Sequence, residues 1–148
     1  MCLKYNSMGE KMKLVVIDGQ GGRIGKGIIE QLKGLNLDVD VLAIGTNSIA
    51  TSTMVKAGAD YAATGENPVI VNSRDADIII GPIGIVIADS LFGEITPAMA
   101  VAVGQSRAEK ILLPINKCNN RVVGVNEANV SNIVALATKR VQEILTKL

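Results

Sequence analysis

Short, continuous apolar runs alternate along the chain with segments whose apolar residues recur at helical spacing. Such runs are typical of strands buried on both faces of a parallel sheet, and they occur at Lys13–Asp18, Val39–Gly45 and Asp77–Ile80. The apolar residues that follow the first run predict a helix over Gly22–Lys33. Strands alternating with helices indicate a three-layer α/β domain with a mostly parallel sheet.

The same reading extends to the C-terminus. It predicts a third strand over 59–63, a fifth over Lys110–Ile115, and helices over Ser48–Lys56, 67–74, Ile83–Leu91, Pro97–Ser106 and 129–147. The apolar run Arg121–Val125 predicts a sixth strand, which only five residues separate from the fifth. A parallel crossover needs a dozen or more residues, so we expect these two strands to form an antiparallel hairpin.

A glycine-rich loop, "DGQGGRIGKG", joins the first strand to the first helix. A P-loop for a nucleoside triphosphate requires glycine at position 20 and serine or threonine at position 27, where this chain has Gln20 and Gly27. The dinucleotide pattern matches at Gly19, Gly22 and Gly25, between a buried strand and a helix. We therefore expect a pyrophosphate at the N-terminus of that helix.

Two resemblances support this prediction. The stretch "GQGGRIGK" resembles the loop of dihydrodipicolinate reductases and, less closely, that of prephenate dehydrogenases, which implies NAD(P) binding. From Lys13 onward, "IDGQGGRIGKG", "AIGTNSIATSTMVKAGAD", "IIIGPIGIVIADSLFGEITPAMA" and "LLPINKCNNRVVGV" are similar to a family of uncharacterised bacterial proteins, mainly from clostridia. That resemblance implies the fold and no activity. We predict a single Rossmann-like nucleotide-binding domain over 13–148, with five parallel strands plus the hairpin strand, after a flexible N-terminal extension at 1–12.

Ligands of open parallel sheets bind at the carboxyl ends of the strands, where the loops after the first, second and fourth strands should meet. The candidate cofactor-binding residues are those of these three loops: Gly19, Gln20, Gly21, Gly22, Arg23, Ile24, Gly25, Thr46, Asn47, Ser48, Gly81, Pro82 and Gly84. Asp38 and Asp40 have the sequence spacing of a ribose-binding acid, but they begin the second strand rather than end it. The neutral side chains from Thr46 to Ser48 favour NADP over NAD, although helix N-capping explains them equally.

Candidate catalytic residues are few, because the chain contains no histidine. Lys117 can lower the thiol pKa of Cys118, and Glu94 is a possible general acid or base, although a helix start near Thr96 also accounts for it. Asp18, at the start of the glycine loop, is expected to stabilise the turn through hydrogen bonds to backbone N–H groups. The alternative is that it binds magnesium. No metal site is otherwise expected, since two distant cysteines cannot supply the usual zinc ligands.

Composition narrows the function classes. The chain has 148 residues, a net charge of +1 and only three aromatic residues, which argues against nucleic-acid binding. The longest apolar run is too short to span a membrane, and two cysteines without a signal peptide predict a cytoplasmic protein. A mean hydropathy of +0.34 predicts a homo-oligomer, most simply a dimer. The sequence thus predicts a nucleotide-binding protein for NADP or NAD; the alternative is a non-catalytic nucleotide or metabolite sensor, and the reaction, if there is one, stays open.

Overall fold

The computed structural model describes residues 5–6, 8–115, 119–125 and 129–147. The five strands are β1 (Leu14–Asp18), β2 (Val41–Gly45), β3 (Tyr61–Thr64), β4 (Ile78–Pro82) and β5 (Glu109–Leu113). The five helices are α1 (Arg23–Gly34), α2 (Ser48–Lys56), α3 (Glu66–Ser73), α4 (Pro97–Gln105) and α5 (Val130–Leu145). A 3₁₀ turn, Ile83–Val86, follows β4, and an isolated bridge joins Tyr5 to Lys11 ahead of β1.

The strands form one parallel sheet in the order β3-β2-β1-β4-β5, with β1 at its centre. Alternate residues of β1 enter two separate cores. Leu14 and Val16 pack on the side of α1, α2 and α5, whereas Val15 and Ile17 pack on the side of α3 and α4. Burial on both faces explains why the strands appear in the sequence as continuous apolar runs. The predicted three-layer, Rossmann-like architecture is confirmed.

The predicted hairpin strand is wrong. The described residues 119–125 form turns and irregular backbone, and no strand pairs with the free edge of β5 there. Val123 is 97% exposed, so the apolar run has no sheet face to bury. Gly124 has a φ of 85°, which breaks the extended conformation that a strand requires.

The predicted helix over Ile83–Leu91 is also wrong beyond its first turn. The 3₁₀ turn ends at Val86, and Asp89, Leu91 and Phe92 have positive φ angles of 63°, 55° and 55°, which exclude a right-handed helix. The Ser90 hydroxyl donates a hydrogen bond to the Gly84 carbonyl at 2.5 Å, and this contact folds the segment back on itself. The chain therefore returns to the carboxyl edge of the sheet.

None of the helices in the described part of the chain combines the length and the apolar character that crossing a bilayer requires.

Candidate functional site

The sheet has its topological switch point between β1 and β4, where the order of strands reverses. Ligands of open α/β sheets bind outside the carboxyl ends of the strands at such a point. The loops after β1 and β2 are fastened together there. The Thr46 amide donates to the Asp18 carbonyl at 3.0 Å, and the Asn47 side-chain amide donates to the Gln20 carbonyl at 3.0 Å.

The glycine loop starts with a tight turn, closed by a hydrogen bond from the Gly22 amide to the Gly19 carbonyl at 2.9 Å. Three glycines are required by contacts within the chain. A Cβ on Gly19 would lie 2.6 Å from Thr46 Oγ1, one on Gly22 would lie 2.8 Å from the Ala50 backbone, and one on Gly25 would meet Met54 and Asp18. Gly21 differs, since a Cβ there would meet no atom within 4 Å in the part of the chain that the structure describes. Packing therefore accounts for the three motif glycines without a ligand, and Gly21 faces open space.

Asp18 is the brace of this loop. Its side chain is only 3% exposed and accepts hydrogen bonds from the Gly19 amide at 2.8 Å and from the Gly25 amide at 2.7 Å. Burial raises the pKa of Asp18 to about 6, and these backbone hydrogen bonds only partly oppose the rise. The turn-stabilising role predicted for Asp18 is thus confirmed by its contacts.

Two backbone donors at the mouth of the loop have no partner in the described part of the chain. These are the N–H groups of Gly21 and Arg23, the latter being the first residue of α1. Both residues are exposed. Free N–H groups at a helix N-terminus attract anions, because the helix dipole adds a partial positive charge there.

Glu94 lies across the start of the loop. Its carboxylate accepts the Gln20 amide at 3.0 Å through Oε1 and at 3.2 Å through Oε2. Oε1 also accepts the Thr46 hydroxyl at 2.7 Å and the Asn47 side-chain amide at 2.6 Å. These donors outweigh partial burial and hold the pKa of Glu94 below its usual value, so the side chain is charged at neutral pH.

Glu94 is the last residue of the segment Asp89–Glu94, here called the cover segment, which positions its carboxylate beside the glycine loop. Leu91 is buried, and its Cδ1 lies 3.0 Å from the position of a Cβ on Gly19. Phe92, the one phenylalanine of the chain, is 98% exposed next to it. Two consecutive bulky residues with positive φ are strained, and such strain persists where the surroundings impose it. The strained backbone coincides with the candidate site.

The other predicted site residues have mixed surroundings. Asn47 is the N-cap of α2, with Oδ1 accepting the Ala50 amide at 2.9 Å, so the capping interpretation holds while its amide group also contacts Glu94. Ser48 is exposed, whereas Ile24 is buried in the core. Gly81, Pro82 and Gly84 are all buried; the Ile17 backbone of β1 lies against Gly81, and Ser90 lies against Gly84. Their role in cofactor binding stays a prediction.

Cys118 and Lys117 lie outside the described residues, so their predicted catalytic role stays a prediction. Asp40 pairs with Lys11 at 2.9 Å, which agrees with its place at the start of β2. Among the described residues, no group of three or more acidic or cysteine side chains gathers closely enough to hold a metal ion.

Sequence reasoning missed the cover segment and the position of Glu94. Glu94 and Gln20 are 74 residues apart in the chain, and no local pattern connects them. The one available signal was the pair of turn-forming stretches "GPIG" and "FGE" around an apolar run, which indicates a chain reversal as readily as a helix.

Comparison with known proteins places the chain in a family. Residues 13–146 match the model of a family described as "Domain of unknown function (DUF3842)". The chain belongs to the DUF3842 family. No curated protein matches its sequence significantly. Among solved structures, this DUF3842 protein is similar to a dodecameric FMN-dependent UbiX-like decarboxylase from Escherichia coli O157:H7, with 20% identity and a TM-score of 0.44, covering 88% of this chain and 77% of that one.

Proposed function

We propose that this DUF3842 protein binds a nucleotide through the loop Gly19–Gly25. The observation that carries the proposal is the pair of N–H groups, on Gly21 and Arg23, that have no partner among the described residues. They lie at the N-terminus of α1 and at the switch point of the sheet. Gly21 also leaves room for a ligand to approach the backbone closely. A phosphate or pyrophosphate suits this arrangement, since it accepts hydrogen bonds and carries the charge that the helix dipole favours.

The class of nucleotide we propose is a dinucleotide, NADP or NAD. The strand–turn–helix context with glycines at 19, 22 and 25 supports it. A thermal-shift screen with NAD, NADP, FMN, ATP and S-adenosylmethionine tests it directly. A higher melting temperature with a dinucleotide supports the proposal, because a ligand that binds only the folded state stabilises it. No shift with any of the five contradicts it.

Gly21→Ala is expected to weaken nucleotide binding about tenfold or more while leaving the fold intact. A Cβ at position 21 meets no atom within 4 Å among the described residues, so a bound ligand is what would oppose it. The dissociation constant is measured by isothermal titration calorimetry and the stability by thermal unfolding. Gly104→Ala is the matched control, since a Cβ there also meets open space but lies on α4. Unchanged affinity in Gly21→Ala would show that the ligand does not approach this backbone.

A second candidate is nucleotide sensing without chemistry. Both carboxylates at the loop, Asp18 and Glu94, accept hydrogen bonds from the chain's own amides, which favours a structural or binding role over proton transfer. The two candidates are separated by following NADPH and NADH absorbance with a panel of carbonyl substrates. Turnover supports an oxidoreductase, and binding without turnover supports the sensor.

We further propose that the protein is a cytoplasmic homodimer. Helix α4 buries Met99, Ala100 and Val103 in its own core and leaves Val101 half exposed, while Leu136 on α5 is 68% exposed. These two side chains lie on opposite faces of the sheet, and together with the mean hydropathy of +0.34 they are the support for subunit contacts. Size-exclusion chromatography with light scattering is expected to give twice the mass of the chain, and a monomer mass at micromolar concentration contradicts this.

A further inference from the structure

We propose that Glu94 is the ribose-recognising acid of this site, and that the site therefore selects a nucleotide with a free 2′,3′-diol over one with a 2′-phosphate. The inference rests on the proposed nucleotide binding and specifies its ligand class. In dinucleotide-binding domains an acid that ends the second strand accepts hydrogen bonds from the ribose hydroxyls. In this chain β2 ends at Gly45 and is followed by the neutral Thr46 and Asn47.

The structure supplies the missing acid from another element. The Glu94 carboxylate lies within hydrogen-bond distance of Thr46 and Asn47, the residues after β2, and of the Gln20 amide in the glycine loop. It thus occupies the corner between the carboxyl ends of β1 and β2. This corner is where a ribose attached to a pyrophosphate on α1 would lie. The strained cover segment is what brings a residue from beyond β4 to this place.

The two carboxylate oxygens are used unequally. Oε1 accepts three donors, from Gln20, Thr46 and Asn47, which fix the side chain in place. Oε2 accepts only the longer bond from the Gln20 amide within the described residues. An ionised carboxylate has about four acceptor positions, so Oε2 retains capacity for a hydroxyl donor. A diol offers such donors, whereas a phosphate ester at the 2′ position offers none and repels the charge.

Neutral donors alone stabilise the charge of Glu94 in the described part of the chain. Among the described residues, no lysine or arginine forms an ion pair with it, and Arg23 in the loop contacts neither oxygen. A site for 2′-phosphate needs the opposite arrangement, with a cation at this corner. The expectation from Thr46 to Ser48 alone, which favoured NADP, is thereby reversed in this proposal.

A competing explanation is that Glu94 blocks the anion site. A carboxylate that replaced a bound phosphate would occupy the N–H groups of the loop. The structure gives it only the Gln20 amide and leaves the amides of Gly21 and Arg23 without a partner in the described chain. The two explanations predict opposite changes in nucleotide affinity when the Glu94 carboxylate is removed. The affinity rises if the carboxylate blocks the anion site, and it falls if the carboxylate binds the ribose.

Glu94→Gln is the variant that tests the inference with least disturbance. A glutamine oxygen can keep the three bonds that Oε1 accepts, and its amide nitrogen then replaces the open Oε2 with a donor. Dissociation constants are measured by calorimetry for NAD, NADP, ADP and 2′-deoxy-ADP on the full chain. Glu109→Gln, at the start of β5, is the matched control because it removes the same charge elsewhere.

The wild-type protein is expected to bind NAD at least tenfold more tightly than NADP, and ADP more tightly than 2′-deoxy-ADP. In Glu94→Gln the affinity for NAD is expected to fall about tenfold and both preferences to shrink to within about threefold, while Glu109→Gln leaves them unchanged. If nucleotides bind with Gly21-dependent affinity but Glu94→Gln keeps the preferences, or binds all nucleotides more tightly, this inference is overturned and nucleotide binding stands. If no nucleotide binds the wild-type protein, both fail together.

Discussion

Gly22→Ala is expected to destabilise the protein by roughly 3 kcal/mol or more, through backbone strain and overpacking together. Gly22 has a φ of 72°, a left-handed conformation that alanine adopts only at a cost. Its Cβ would also lie 2.8 Å from both the Cα and the carbonyl oxygen of Ala50. Because these are backbone atoms in the first turn of α2, no side-chain rotation can relieve the overlap, and α1 and α2 must move apart.

Urea unfolding followed by far-ultraviolet circular dichroism measures this effect, since the chain contains no tryptophan. The neighbouring Gly21→Ala is the matched control, because it adds the same methyl group one residue earlier in open space. We expect its free energy of unfolding to stay within about 1 kcal/mol of the wild type. Equal stability of the two variants would show that the close contact between Gly22 and α2 does not exist in solution.

Gly21 and the three motif glycines differ in what requires a glycine at each position. The spacing of Gly19, Gly22 and Gly25 predicted a phosphate-binding turn, yet each of these glycines has a packing reason inside the chain. The glycine that indicates a ligand is Gly21, which the motif spacing does not require. A loss of binding in a Gly22 variant would therefore be ambiguous, whereas a loss in Gly21→Ala is attributable to the site.

Local sequence patterns predicted the parallel sheet and the first helix well, because burial on both faces leaves a continuous apolar run and burial on one face leaves a period of 3.6 residues. They failed where long-range contacts override local preference. The stretch Ile83–Leu91 has the apolar content of a helix, but Leu91 enters the core through a turn with positive φ angles. The run Arg121–Val125 has the composition of a strand and no face to bury.

Asp18→Asn is expected to change how stability depends on pH. Folding raises the pKa of Asp18 from 3.8 to about 6, so between these values the folded protein binds more protons than the unfolded chain. Stability from this group is then greatest below its unfolded pKa and falls as the pH rises through 6. Asparagine cannot titrate. The stability advantage of the wild type over Asp18→Asn should therefore shrink by about 2 kcal/mol between pH 4 and pH 7.

Urea unfolding of both proteins across this pH range measures the difference, and Asp60→Asn is the control of opposite sign. Asp60 accepts bonds from Lys33 at 2.6 Å and from the Val41 amide at 2.8 Å, contacts that hold the pKa of its carboxyl below the usual value. Its contribution is present above the unfolded pKa and is lost as the pH falls. A wild-type advantage over Asp18→Asn that does not vary with pH would contradict a raised pKa at Asp18.

An anion bound at the first turn of α1 opposes the charge of Asp18, so nucleotide affinity should also rise as the pH falls through 6, and this dependence should disappear in Asp18→Asn.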